Sequence, residues 1–342
     1  MLKKVNRFSY TCIPMQAIRP NKIVLYSKIY TYDNELKCER KPIRLEKNKM
    51  PSSRFHNFEI SKDAQKTISE KISWLYQLAK STYQKTSSGK EIFNFKMSFI
   101  TLTLPSIQKH PTSEITSKCL NQLLIELRDE FELKNYVWRL EFQKNGNVHY
   151  HIAMDKFIDY ERLRIMWNRI IGKLGYIKAY QDKFWSMSLN DYVTNYSTDK
   201  KTDFSTLAKR YARGKKENWE NPPSVDVISC TSGKAISFYI AKYFNKKEKS
   251  GIKCNHLDNE SNSANMRLWF CSRGLSKLKS ISEYVQACEI PMELMFDNVK
   301  GMITKVYDYC KVIYFDFAKL CPSYKRLLTE MYRQYAIDVG YL

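Results

Sequence analysis

The stretch YVWRLEFQKNGNVHYHIAMD, residues 136–155, constrains the fold more than any other. Two runs rich in β-branched and aromatic residues flank Asn145-Gly146, a dipeptide that joins antiparallel strands by a tight turn. The second run carries His149 and His151, in a chain that has only five histidines. Residues i and i+2 of a strand face the same way, so both imidazoles project together and Tyr150 projects to the other side. Two imidazoles from one strand can hold one metal ion, and a carboxylate on the neighbouring strand would complete the set. Glu141 is that carboxylate. A two-residue loop, Asn145-Gly146, would put Glu141 opposite Tyr150, on the wrong face. A three-residue loop, Asn145-Gly146-Asn147, would put Glu141 opposite His151 and Gln143 opposite His149. The ligand set therefore requires a turn of odd length. Otherwise the histidines are packing residues on a half-exposed strand.

Around this hairpin the pattern predicts a helix from Ser61 to about Tyr83, capped by Ser61 and broken by TSSGKE. A strand follows over Phe95–Pro105, FKMSFITLTLP, and a helix over Thr112–Leu133, where Ile115, Cys119, Leu123, Leu127 and Phe131 recur on one side. Asp159–Gly175 reads as an amphipathic helix with Asp159 at its cap. SVDVISC is a short strand, GKAISFYIAKYFNKK a helix, and residues 247–266 a surface loop. RLWFCSRGLSK is placed to extend the sheet, and a strand pair lies around NVKGMITKVYDYCKVIYFDF. This order gives an α+β fold, with a central, mainly antiparallel sheet flanked by helices. Three parts are expected: an N-terminal extension (1–90), a central domain (91–250) with a polar, basic insertion near 176–222, and a C-terminal extension (251–342).

The charge narrows the function. Lys and Arg number 57 against 35 Asp and Glu, a net +22 spread along the chain. Such a field favours a polyanionic partner, nucleic acid or a membrane surface. The 24 tyrosines add stacking surface suited to single-stranded nucleic acid. No run is long and apolar enough for a membrane span, and no apolar stretch follows the basic start as a signal peptide would require. The nine cysteines form no C-x-x-C pair, which fits reduced thiols in a cytoplasm. No G-x-x-x-x-G-K-[ST] loop is present, so a P-loop helicase is excluded.

A second cluster lies in SFYIAKYFNKK. Tyr239, Lys242, Tyr243 and Lys246 stand at i, i+3, i+4 and i+7, one stripe of a helix. Ile236, Ile240 and Phe244 form an adjacent apolar stripe. A phenol with a pKa near 10 is a poor nucleophile; nearby cations and a metal-polarised phosphate lower that barrier. The plainer reading is an amphipathic helix with tyrosines at the core margin and solvated lysines.

Taken together, FITLTLP, VHYHIAMD and YIAKYFNK, in that order, resemble the three motifs of the HUH endonucleases. Within them the chain is similar to the rolling-circle replication initiators of single-stranded DNA phages, including microvirus-like ones, and related plasmids. The resemblance covers roughly residues 95–250. It implies His149, His151 and Glu141 as ligands of Mn²⁺ or Mg²⁺, Tyr239 as first nucleophile and Tyr243 as second, with Lys242 and Lys246 holding phosphate or phenolate. It further implies single-stranded DNA at a replication origin as substrate, a host helicase and polymerase as partners, and a bacterial host cytoplasm as the place of action. Three alternatives stand beside it: a single-tyrosine transposase or relaxase, a metal-dependent hydrolase using water, and a non-catalytic basic nucleic-acid-binding protein.

Overall fold

The computed structural model describes residues 8–33, 38–39, 60–197, 203–240, 266–284 and 302–342. The chain divides into two compact units. One comprises Met1–Ser53, Lys66–Leu78 and Arg273–Leu342; the other comprises Arg54–Gln65 and Ala79–Ser272. The N-terminal and C-terminal extensions expected from the sequence thus fall largely into one unit.

In that unit, β1 (Phe8–Arg19) and β2 (Lys22–Asp33) form a long antiparallel hairpin. The expected C-terminal strand pair is present as β12 (Met302–Tyr307) and β13 (Cys310–Phe315), and β13 pairs with β2. β11 (Ile281–Tyr284) pairs with β1, giving the order β11-β1-β2-β13-β12, with β3 (Cys38–Glu39) on β2. Helix α1 (Lys62–Leu78) buries Trp74 against Tyr332 of the C-terminal helix Pro322–Asp338, ring centroids 5.2 Å apart. The indole N–H of Trp74 donates to the Lys279 carbonyl at 2.9 Å. The sequence pattern carries α1 too far. Ser61 does cap it, its Oγ accepting from Ala64 N at 3.2 Å, but the β-forming residues from Thr82 leave the helix. They make β4 (Thr82–Lys85), paired with β5 (Glu91–Phe95) in the second unit. TSSGKE is therefore a hairpin turn, with Gly89 in the left-handed region at φ 84°.

The second unit is built on a five-stranded antiparallel sheet of order β10-β7-β8-β6-β9. Its strands are β6 (Met97–Thr103), β7 (Tyr136–Phe142), β8 (Val148–Met154), β9 (Val225–Cys230) and β10 (Trp269–Cys271). The expected strand over 95–105 is interrupted at Lys96, whose N–H turns to the Cys230 carbonyl at 3.2 Å. The strand RLWFC does extend the sheet, pairing Trp269 with Arg139. The expected α+β fold with an antiparallel sheet and flanking helices is what the chain adopts.

One face of this sheet is closed by helices. α2 (Thr112–Ile115), a π turn (Thr116–Leu120) and α3 (Asn121–Phe131) run continuously, and α4 (Tyr160–Gly172) packs beside them. Ile115, Leu123, Leu127, Leu163, Trp167 and Ile170 meet Leu102, Leu140, Tyr150 and Ile152 in one core. Period-2 alternation sends the other side chains of β6, β7 and β8 to the opposite face. That face carries the residues of interest.

Candidate functional site

The hairpin sets the geometry. Gln143 N donates to Asn147 O, and Gly146 N to Gln143 O, both at 2.9 Å, so the loop is Lys144-Asn145-Gly146. It has odd length, as the ligand set requires, but begins one residue earlier than expected. A three-residue hairpin needs a left-handed residue at its last position. Gly146, at φ 82°, takes it. The register is corrected accordingly: Glu141 lies opposite His149, and Arg139, not Glu141, lies opposite His151. Parity is preserved, so Glu141 still shares the face of both histidines.

Cross-strand rungs organise this face. Trp269, Arg139, His151, Thr101 and Asp226 form one rung across all five strands. Glu141, His149 and Thr103 form the next, and Val137, Ala153, Phe99 and Ile228 the one on the other side. The imidazoles of His149 and His151 lie 4.5 Å apart between ring centroids, tilted by 40°. Although Glu141 sits across from His149, its Oε2 meets His151 Nε2 at 3.1 Å. Both groups are buried, at 8% and 3% exposure. The other nitrogen, His151 Nδ1, meets Thr101 Oγ1 at 3.2 Å. An ionised carboxylate only accepts, so in the neutral ring Nε2 carries the hydrogen and the Thr101 hydroxyl donates to Nδ1.

Tyr150 points the other way, as alternation requires. It is buried in the helix-side core against Trp138 and Trp167, and its hydroxyl bonds Thr116 Oγ1 at 2.7 Å. Its bulk belongs to packing.

Tyr239 ends the described part of α8 (Gly233–Tyr239). Its ring stacks on Phe99, centroids 4.9 Å apart and 17° from parallel. Phe99 shares the histidine face, one rung from His151. Ile236 and Ile240 are buried, as their apolar stripe predicts. Lys242, Tyr243 and Lys246, and the surface loop expected over 247–265, lie outside the described residues.

Three residues of this face were not found by sequence reasoning. Thr101 and Asp226 come from strands distant in sequence, and no local pattern announces their pairing with β8. Arg139 could have been found, because it shares the parity of Glu141. It is 1% exposed, and a buried guanidinium needs acceptors around it.

The face is a sheet surface with two imidazoles, a carboxylate and a tyrosine, on a strongly basic chain. Residues 97–248 match a family of replication-associated proteins, that of ORF2 and the phage gene II product. The match runs from the first residue of β6 through the histidine hairpin and past Tyr239. Over this segment the chain is a replication initiator of the Rep type, and the HUH resemblance is consistent with that. No curated protein and no solved structure matches the chain. A replication initiator acts on DNA, and no helix among the described residues is long and apolar enough to cross a membrane.

Proposed function

We propose that the chain nicks and rejoins single-stranded DNA at a replication origin by metal-dependent transesterification. One observation carries this reading: Glu141, His149, His151 and the Phe99 platform under Tyr239 occupy one face of one sheet.

Two imidazoles and a carboxylate are a donor set that Mn²⁺ accepts, and Mg²⁺ less readily. Among the described residues no three such side chains stand ready as a cage. The Glu141–His151 hydrogen bond explains why: the two groups now bond each other, and loading would exchange that bond for two to the ion. A bound divalent ion would draw negative charge from the non-bridging oxygens of the scissile phosphate.

The chain supplies the rest. The Tyr239 oxygen attacks phosphorus, the P–O3′ bond breaks, and the proton lost by the phenol is matched by one gained at the 3′ oxygen. The products are a 5′-phosphotyrosine and a free 3′-OH that primes synthesis. Tyr243, four residues on, would cut a second time while the first end is held, and the released 3′-OH would then close a circle. Lys242 and Lys246 would hold phosphate. Unwinding and synthesis would fall to a host helicase and polymerase in the bacterial cytoplasm.

The test is cleavage of single-stranded DNA from the protein's own replicon, with Mn²⁺ or with EDTA. Wild type should cut only with metal, and Glu141→Gln and His149→Ala should each lose about a hundredfold or more in rate. Cutting that is unchanged in EDTA and in both variants would remove the metal from the mechanism.

A further inference from the structure

The helices after α4 enclose a cavity that plays no part in the face above. α5 (Tyr176–Trp185), α6 (Leu189–Tyr196) and α7 (Phe204–Lys216) surround about 550 Å³. Pro105, two residues beyond the Thr103 that pairs with His149, also lines it.

Its walls are aromatic. Phe184 and Trp219 stack at 4.8 Å and 22°, and Tyr192 lies 4.9 Å from Tyr196, which is 38% exposed at the margin. Its other lining groups include Lys183, Arg210 and Arg213, all exposed. Lys183 Nζ donates to the Tyr196 hydroxyl at 3.3 Å. Arg213 reaches Glu217 only at 4.0 Å, and Arg210 makes no ion pair among the described residues.

The Trp219 side chain is held there against backbone preference. Asn218 and Trp219 are consecutive non-glycine residues in the left-handed region, at φ 52° and 53°. Such residues persist only where the surroundings force them. Trp219 N closes the turn on Gly214 O at 2.8 Å, and a Cβ at Gly214 would overlap the indole. The indole N–H, in a residue 5% exposed, finds no acceptor among the described residues. A buried donor left so is expensive, and a ligand carbonyl would satisfy it.

Flat apolar walls, an unmet donor and cations at the margin together fit a nucleotide. We propose that this pocket takes one unstacked nucleotide of single-stranded DNA, its base against the aromatic wall and its phosphate on Arg210 and Arg213. The inference rests on the proposed nicking function and adds to it: a base held here would fix the register in which the strand enters. A duplex keeps its bases stacked and would be refused.

The test uses the full chain in EDTA, so that no cutting intervenes. A random-sequence single-stranded 30-mer, with 5-iodouracil in place of thymine, is bound, irradiated and mapped by mass spectrometry. Crosslinks should fall on Tyr196 or Trp219. Tyr196→Ala and the pair Arg210→Ala/Arg213→Ala should each weaken binding about tenfold, with thermal unfolding unchanged, while a duplex of equal length competes poorly. Crosslinks confined to other elements, or equal competition by duplex, would overturn the pocket and leave the nicking function standing. Absence of single-strand binding in wild type would overturn both.

Discussion

His151 touches an acid with one ring nitrogen and an alcohol with the other, and that pairing decides what the ring can do. With Nε2–H on Glu141, the neutral ring has no lone pair free for a cation at Nε2. Binding a metal there moves the hydrogen to Nδ1, and Thr101 must turn from donor to acceptor. Thr101→Val removes that acceptor. It should weaken Mn²⁺ binding by about tenfold, read as free Mn²⁺ by electron paramagnetic resonance, with the sheet intact. Unchanged affinity would mean that Thr101 only fills space. The facing of His149, His151 and Glu141 could be read from the sequence because strand alternation has period two. Thr101 could not, because only tertiary pairing brings β6 beside β8.

At the scale of elements, the hairpin loop controls parity. Deleting Asn145 leaves an even loop, which turns Glu141 away from the histidines if β8 keeps its place. Mn²⁺ binding should vanish, whereas Lys144→Ala, which keeps the length, should bind as wild type. The sequence indicated an odd loop but not its position, which the left-handed demand on Gly146 settles. Similarly, it placed the α4 cap at Asp159 but could not show the second bond there. Burial pushes the Asp159 carboxyl up, yet donation from the backbone N–H groups of Ser87 and Glu161 and from the Ser87 hydroxyl outweighs it and holds the group below the usual range. A depressed acid stabilises the fold above its unfolded pKa, and the effect is lost as pH falls through the folded value. Asp159→Ala should cost about 1 kcal/mol at neutral pH, and the difference from wild type should shrink in acid, as urea unfolding at several pH values would show. Constant destabilisation down to strong acid would contradict the ionic part of this cap. The end of α1 was misread for a simpler reason: helical periodicity continued into Thr82 and Tyr83, whose partner strand is supplied by tertiary structure.

For the whole molecule, the two units could not be read from the chain order. β12 and β13 look like a C-terminal appendage in the sequence, but they pair with β2, almost the whole chain away. Long-range pairing leaves no local trace. The net charge of +22 acts at this scale too. If about five phosphates are neutralised, the affinity for single-stranded DNA should fall about 3.5 orders of magnitude per tenfold rise in salt. Fluorescence anisotropy from low to moderate salt would measure that slope. A flat response would deny the charge any role in DNA binding.

The central claim is that a tyrosine beside the histidine face becomes covalently joined to DNA. The direct measurement is peptide mapping of the protein after reaction with labelled origin DNA and Mn²⁺, followed by nuclease digestion. The account predicts a nucleotide on the peptide carrying Tyr239 and Tyr243, with Tyr239→Phe moving or abolishing it. Cut DNA with no modified tyrosine would make water the nucleophile and contradict the account.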